Sequence, residues 1–144
     1  MLVGNLDTPL DGIVHSGTVI DANPTAELVE NIFFDKSALH DGAMVIRDCR
    51  IHYAGCILPL TERRNMSSQF GTRHRAGLGL SEQSDAFVII LSEETGDISL
   101  AISGMLKEGY TEETLRDALR KELLFGITEI NMKSIFQRRT KNHE

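Results

Sequence analysis

Ala86-Phe87-Val88-Ile89-Ile90-Leu91 runs directly into Ser92-Glu93-Glu94-Thr95-Gly96-Asp97 and then into Ile98-Ser99-Leu100-Ala101-Ile102. The first six residues are apolar throughout, which is the pattern of a strand covered on both faces at the centre of a sheet. The last five alternate apolar with small or polar residues. They pair next to the first run, after a tight turn at Thr95-Gly96-Asp97. A strand covered on both sides needs helices to cover it, so this stretch predicts a mixed fold rather than an all-β or all-helical one.

The rest of the chain supplies the partners. Ala43–Arg47 and Ile51–Leu58 are rich in strand formers, and Asp48-Cys49-Arg50 between them suggests a hairpin. Thr18–Asp21 is a further short strand. Asn23 has the character of an N-cap with Pro24 at the first helical position, and Leu28, Val29, Ile32 and Phe33 then form one apolar helix face. Ser67–Phe70 reads as one helical turn. A helix is expected from Arg73 to about Glu82, although Gly77 and Gly79 weaken it. Thr111 caps a helix with Leu115, Ala118, Leu119 and Leu123 on one face, and Glu112 and Glu113 in its first turn suit the helix dipole. A last helical segment is expected from Ile127 to about Arg138. The fold class is therefore α+β, or mixed α/β: a central, mostly mixed β-sheet flanked by helices in a single globular domain over residues 1–144. The opening Met1-Leu2-Val3-Gly4-Asn5 looks like the end of a strand, so the chain is expected to be the catalytic core of something longer.

Composition sets the bounds. A chain of 144 residues with 41% hydrophobic and 25% charged residues is ordinary for one soluble domain with a real core. A formal net charge of −6 argues against a broad nucleic-acid-binding face, so no nucleic-acid partner is expected. No apolar run reaches the length of a membrane span and no signal-peptide pattern opens the sequence. A cytoplasmic location is expected, while a full-length protein could carry additional N-terminal segments. Cys49 and Cys56 sit in apolar, strand-like surroundings and read as buried free thiols, with a disulfide as the alternative.

Two polar islands have no evident part in building a core. Leu39-His40-Asp41-Gly42-Ala43 leads into the strand-like Met44-Val45-Ile46, and Gly71-Thr72-Arg73-His74-Arg75-Ala76 opens a helix. Asp before Gly is common in turns. It also suits a carboxylate aimed at a metal or a sugar hydroxyl, with Gly42 letting a ligand approach the backbone. His40 beside it is either structural or a ligand, and an imidazole ligand tilts a site toward manganese or cobalt. Two arginines at a helix start, with unpaired N–H groups next to them, make a phosphate site. Glu93 and Glu94, at the end of the buried strand, are either turn residues or carboxylates completing a metal site with Asp41.

With these motifs in order — Leu39-His40-Asp41-Gly42-Ala43, Cys56-Ile57-Leu58-Pro59-Leu60, Gly71-Thr72-Arg73-His74-Arg75-Ala76 and Ser92-Glu93-Glu94-Thr95-Gly96 — the chain resembles the diadenylate cyclase catalytic domain family, which condenses two ATP molecules into cyclic di-AMP. The resemblance runs from about Leu10 to about Leu124, a best-matched core of residues 10–124. It implies that Asp41, with Gly42 beside it, helps to activate the ribose 3′-hydroxyl, and that Arg73 and His74 belong to the catalytic set. Leu58 would meet the adenine. Gly71, Thr72, Arg73 and Ser92 would hold the phosphates, with His74 and Arg75 supporting that wall. His40, Asp41 and Glu94 would hold a divalent metal, whether manganese, cobalt or magnesium. Members often carry an aromatic residue just before the Leu-Pro pair, where this chain has Ile57. A two-fold symmetric product implies two identical half-sites facing each other, hence a homo-oligomer. Two other readings keep the same residues: an ATP-binding interaction or sensor module without catalysis, and a nucleotidyltransferase with another acceptor.

Overall fold

Successive residues of Ala43–Arg47 are buried on opposite sides of one sheet. Ala43 and Val45 pack with Ala76, Leu80, Val88 and Ile90, while Met44 packs with Ile32, Ile51 and Ala54. The period-2 alternation of strand side chains thus builds two cores, one on each face. The computed structural model describes residues 2–4 and 17–122. Its elements are β1 (Leu2–Gly4), β2 (Thr18–Ala22), α1 (Ala26–Phe33), β3 (Ala43–Arg47), β4 (Arg50–Cys56), α2 (Thr72–Gln83), β5 (Phe87–Leu91), β6 (Ile98–Ile102) and β7 (Met105–Tyr110). The strands form one seven-stranded sheet in the order β2-β4-β3-β1-β5-β6-β7. β1 lies parallel to β3 and antiparallel to β5, and the pairs β2/β4, β3/β4 and β5/β6 are antiparallel. The mixed sheet expected from the sequence is therefore present. α1 contributes Ile32 to one core, and α2 contributes Ala76 and Leu80 to the other.

The chain divides into two units, Met1–Gly109 and Tyr110–Glu144. In the second, the described part is a helix over 112–122. Thr111 caps it by accepting from the Thr114 amide at 3.2 Å. The expected helix from Ile127 and the apolar position Leu123 lie outside the described residues. Among the described residues, no helix is long and apolar enough to cross a membrane.

Three expectations change, and one strand is added. α1 is capped by Thr25, whose Oγ1 accepts from the Leu28 amide at 3.2 Å, so Asn23 is not the cap and Pro24 precedes the helix. Asn23 is engaged elsewhere: its Oδ1 accepts from Arg50 Nη1 at 3.1 Å, and the same guanidinium holds Asp21. Cys49 is exposed, not buried. It occupies the two-residue turn between β3 and β4 with φ +58°, after Asp48 at φ +51°, the left-handed pair that a tight hairpin demands. Cys56 is the buried free thiol expected, and burial pushes its pKa up to about 11, which keeps it protonated and unreactive. β4 begins at Arg50 and ends at Cys56, two residues short of Leu58. Finally, β7 follows β6 through a turn at Ser103 and Gly104, both with positive φ. Its sequence Met-Leu-Lys-Glu-Gly-Tyr carries no strand pattern because it is an outer strand and mostly exposed.

Candidate active site

Gly42 is the hinge on which the first island turns. Its φ is +122°, and a Cβ there would lie 2.8 Å from the Gly55 carbonyl carbon and 3.0 Å from the Cys56 oxygen. Only a residue without a side chain lets the start of β3 press against the end of β4 in this conformation. The consequence is positional: Asp41, one residue earlier, is lifted clear of the sheet, with its side chain 84% exposed.

α2 sets the opposite wall. A Cβ on Gly77 would fall 2.6 Å from Ile90 Cδ1, and one on Gly79 would fall 2.1 Å from the Pro59 oxygen. The two glycines that weaken the helix in isolation therefore let it lie against β5 and the segment after β4. A hydrogen bond from the Thr61 amide to the Arg75 carbonyl, 2.9 Å, ties the same segment to the first turn of α2. Gly71 is the N-cap, with no side-chain cap hydrogen bond and open space around its Cα. The first turn of α2 carries Arg73 and Arg75 and no acidic residue. Cations at a helix N-terminus oppose the dipole, so they add to a field that calls for an anion rather than satisfying it.

Between these walls lie two adjoining cavities. The first, about 560 Å³, is bordered by Asp41, Gln69, Gly71, Thr72, Arg73 and Ser92, with His74, Glu93 and Glu94 also on its rim. The second, about 430 Å³, runs under Gly42, Gly55, Ile57, Leu58, Leu60 and Ala76. Asp41, Thr72 and Arg73 line both. The first is polar, with backbone amides and a guanidinium suited to phosphates. The second is walled by aliphatic side chains, with Leu58 buried and Ile57 and Leu60 exposed at its lip, and suits a flat apolar base.

Arg73 is the central side chain. Its Nη2 donates to Glu93 Oε1 at 2.5 Å and lies 3.7 Å from Asp41 Oδ1. His74 is buried, its ring 5.0 Å from that of Phe70. Burial holds its pKa below the ordinary imidazole value, partly opposed by the charge of Glu108. Ser92 shapes the facing turn: its amide donates to the Asp97 carbonyl, its carbonyl accepts from Gly96, and its Oγ accepts from Thr95. Arg75 is half-buried and lines neither cavity.

The three metal-ligand candidates are not gathered. Among the described residues, no three His, Cys, Asp or Glu side chains come together in a way that could hold a metal ion. Asp41 and Glu94 share the polar cavity, whereas His40 borders a neighbouring one with Phe33, Asp35, Ile89 and Leu91, on the other side of Arg73 and Glu93, which line both. The chemistry of the donors nevertheless fits a divalent cation. His40 Nδ1 lies 2.8 Å from the Ser37 carbonyl, which can only accept, so Nδ1 carries the proton and Nε2 keeps its lone pair. That is the tautomer and backbone anchor typical of a metal-bound imidazole. Two carboxylates facing a phosphate site are what a hard cation carried by a nucleotide requires.

Sequence reasoning missed Gln69 and Gly55 as lining residues, and missed Glu93 as the partner of Arg73. Gln69 and Gly55 are visible as residues, but the approach of Gly55 to Gly42 depends on the β3/β4 register, and the place of Gln69 depends on how the turn before α2 packs.

Residues 1–106 match the family described as DisA bacterial checkpoint controller nucleotide-binding, DAC. The chain belongs to this family. It is 38% identical over 136 residues to the cyclic di-AMP synthase CdaA of Bacillus subtilis, covering 94% of this chain and 50% of that protein. It is 42% identical over 118 residues to a diadenylate cyclase of Listeria monocytogenes, covering 82% of this chain and 43% of the relative. A crystal structure of DacA from Staphylococcus aureus, a double mutant, superposes with a TM-score of 0.79 at 40% identity, covering 84% of this chain and 81% of that one. The chain spans about half the length of the curated relatives it matches. Membership in a nucleotide-binding family agrees with two cavities, one polar and one apolar, joined at Arg73.

Proposed function

We propose that this domain condenses two ATP molecules into cyclic di-AMP and two pyrophosphates, across two copies of the chain meeting face to face. The observation that carries the reading is the meeting of Asp41 and Arg73, 3.7 Å apart, where the polar and apolar cavities join. A nucleotide with its base beside Leu58 and its phosphates at the start of α2 has its ribose and α-phosphate at that junction. The names of the relatives, diadenylate cyclase and cyclic di-AMP synthase, support the same chemistry.

In the proposed reaction the 3′-oxygen of one ATP attacks the α-phosphorus of the other. A P–O bond forms to the ribose, the bond to the β-phosphate breaks, and pyrophosphate leaves with its electron pair. The 3′-hydroxyl proton passes to the base at Asp41. Thr72, Arg73, Ser92 and the amides after Gly71 hold the phosphates in line, with His74 and Arg75 behind them, and catalysis is mostly positioning and charge neutralisation. A divalent metal, manganese, cobalt or magnesium, would be held by Asp41 and Glu94 with His40 as a further ligand, and would supply positive charge to the phosphates. The same step repeated with the nucleotides exchanged closes the ring. The sequence has one Asp-Gly-Ala and one Arg-His-Arg, so the second nucleotide belongs to a second chain. The proposed ATP substrate supports a cytoplasmic location for the domain.

Incubating the protein with ATP and manganese and identifying products by mass spectrometry tests the reading. Cyclic di-AMP is the expected product. Binding without turnover would instead mark an ATP-binding module, and an adenylylated acceptor would mark a different transferase.

A further inference from the structure

We infer that Glu93 is a positioning residue for Arg73: it takes the hydrogen bond of one guanidinium nitrogen, and so holds Arg73 to a longer ion-pair contact with Asp41 and presents its remaining donors to the nucleotide. The inference rests on the proposed function for its consequence in turnover, but not for its geometry. Arg73 Nη2 has two carboxylates to choose from, Glu93 at 2.5 Å and Asp41 at 3.7 Å. Glu93 takes it. Arg73 Nε and Nη1 have no hydrogen-bond partner among the described residues, and these are the donors a forked phosphate contact uses.

Asp41 can act on a hydroxyl or a metal only while it is not neutralised by its cationic neighbour. Without Glu93, the nearest anion left to Arg73 is Asp41, and a pair formed there would disable both groups at once. Glu93 is well suited to this part. It borders both the polar cavity and the cavity by His40, as Arg73 does, so the two side chains form the wall between them. It takes no part in the hydrogen bonds of its own turn, which run through Ser92, Thr95, Gly96 and Asp97. Its side chain is 67% exposed, so the pair adds little to folding stability. A carboxylate that supports neither the turn nor the fold, yet takes the central guanidinium, acts through that guanidinium.

The test is a double-mutant cycle on the intact chain, read as ATP affinity by calorimetry and as turnover, with thermal melting as a check on folding. Glu93→Ala is expected to weaken ATP binding by roughly threefold or more and turnover by roughly tenfold or more, with little change in melting temperature. Glu93→Gln, whose amide oxygen still accepts from Nη2, is expected to fall between Glu93→Ala and wild type. In an Arg73→Ala background, Glu93→Ala is expected to have no further effect. Losses that multiply in the double variant would overturn the inference, as would Glu93→Ala with wild-type affinity and turnover. A wild-type protein that binds ATP without making a cyclic dinucleotide overturns the proposed function, and the affinity cycle then decides the role of Glu93 alone. A wild-type protein that does not bind ATP overturns both.

Discussion

Asp41 carries the heaviest chemical load of any single residue in this account, and Gly42 is what lets it do so. Asp41→Asn keeps the shape at the cavity junction and removes the charge. Cyclic di-AMP synthesis is expected to fall by roughly two orders of magnitude or more, while ATP affinity stays within a few-fold, as measured by product quantification alongside calorimetry. Ser99 makes the opposite point. Its Oγ is buried with no hydrogen-bond partner among the described residues, opposite Ile90 in the β5/β6 ladder. Ser99→Ala is expected to raise unfolding stability by about 1 kcal/mol, seen as a higher denaturant midpoint, because an unsatisfied buried hydroxyl is removed. The alternation in Ile98–Ile102 marks two faces without saying what covers either. Ser99 is buried on the same face of the sheet as Ile90 and Ala101, the face that packs against α2. A period-2 pattern shows that two faces exist, not which helix covers each.

At the scale of elements, α2 explains most of the site and was the element the sequence marked as weak. Gly77 and Gly79 lower helix propensity, but their missing side chains are what allow α2 to meet Ile90 and Pro59. Gly79→Ala, mild or stabilising in an exposed helix, is here expected to destabilise the protein by about 1–3 kcal/mol and to weaken ATP binding, since the obstacle is backbone and the helix must shift. A midpoint equal to wild type would show that α2 is not held as tightly as its geometry says. His74, also on α2, gives a dependence on pH. Its folded pKa lies below the ordinary 6.5, with burial the larger cause and Glu108 opposing it. As pH falls below about 6.5, the unfolded chain takes up a proton that the folded chain resists, so stability is lost on acidification. The melting temperature is expected to drop through that window, and the drop is expected to be shallower in His74→Gln. The central strands and the motif loops were legible because apolar runs and Gly-flanked polar islands are local signals. β7, the Thr25 cap and the exposure of Cys49 were not, because edge position, the pull of Arg50 on Asn23 and the solvation of a hairpin tip are tertiary facts.

At the scale of the whole molecule, the proposed site joins one polar and one apolar cavity at Asp41, Thr72 and Arg73, room for one nucleotide in the proposed reading, and the proposed product contains two. The account therefore makes pairing part of the chemistry and not an accessory to it. It also ties the residue and element scales together: in the proposed reaction Asp41 acts on the 3′-hydroxyl of the nucleotide in its own chain, the start of α2 in a second chain holds the α-phosphate attacked, and pairing brings the two into line. The most direct measurement is the rate of cyclic di-AMP formation per chain across a dilution series, with sedimentation recording the assembly state at each concentration. The rate per chain is predicted to fall as pairs dissociate and to vanish where only monomers sediment. A rate per chain that stays constant down to concentrations holding only monomers would contradict the account.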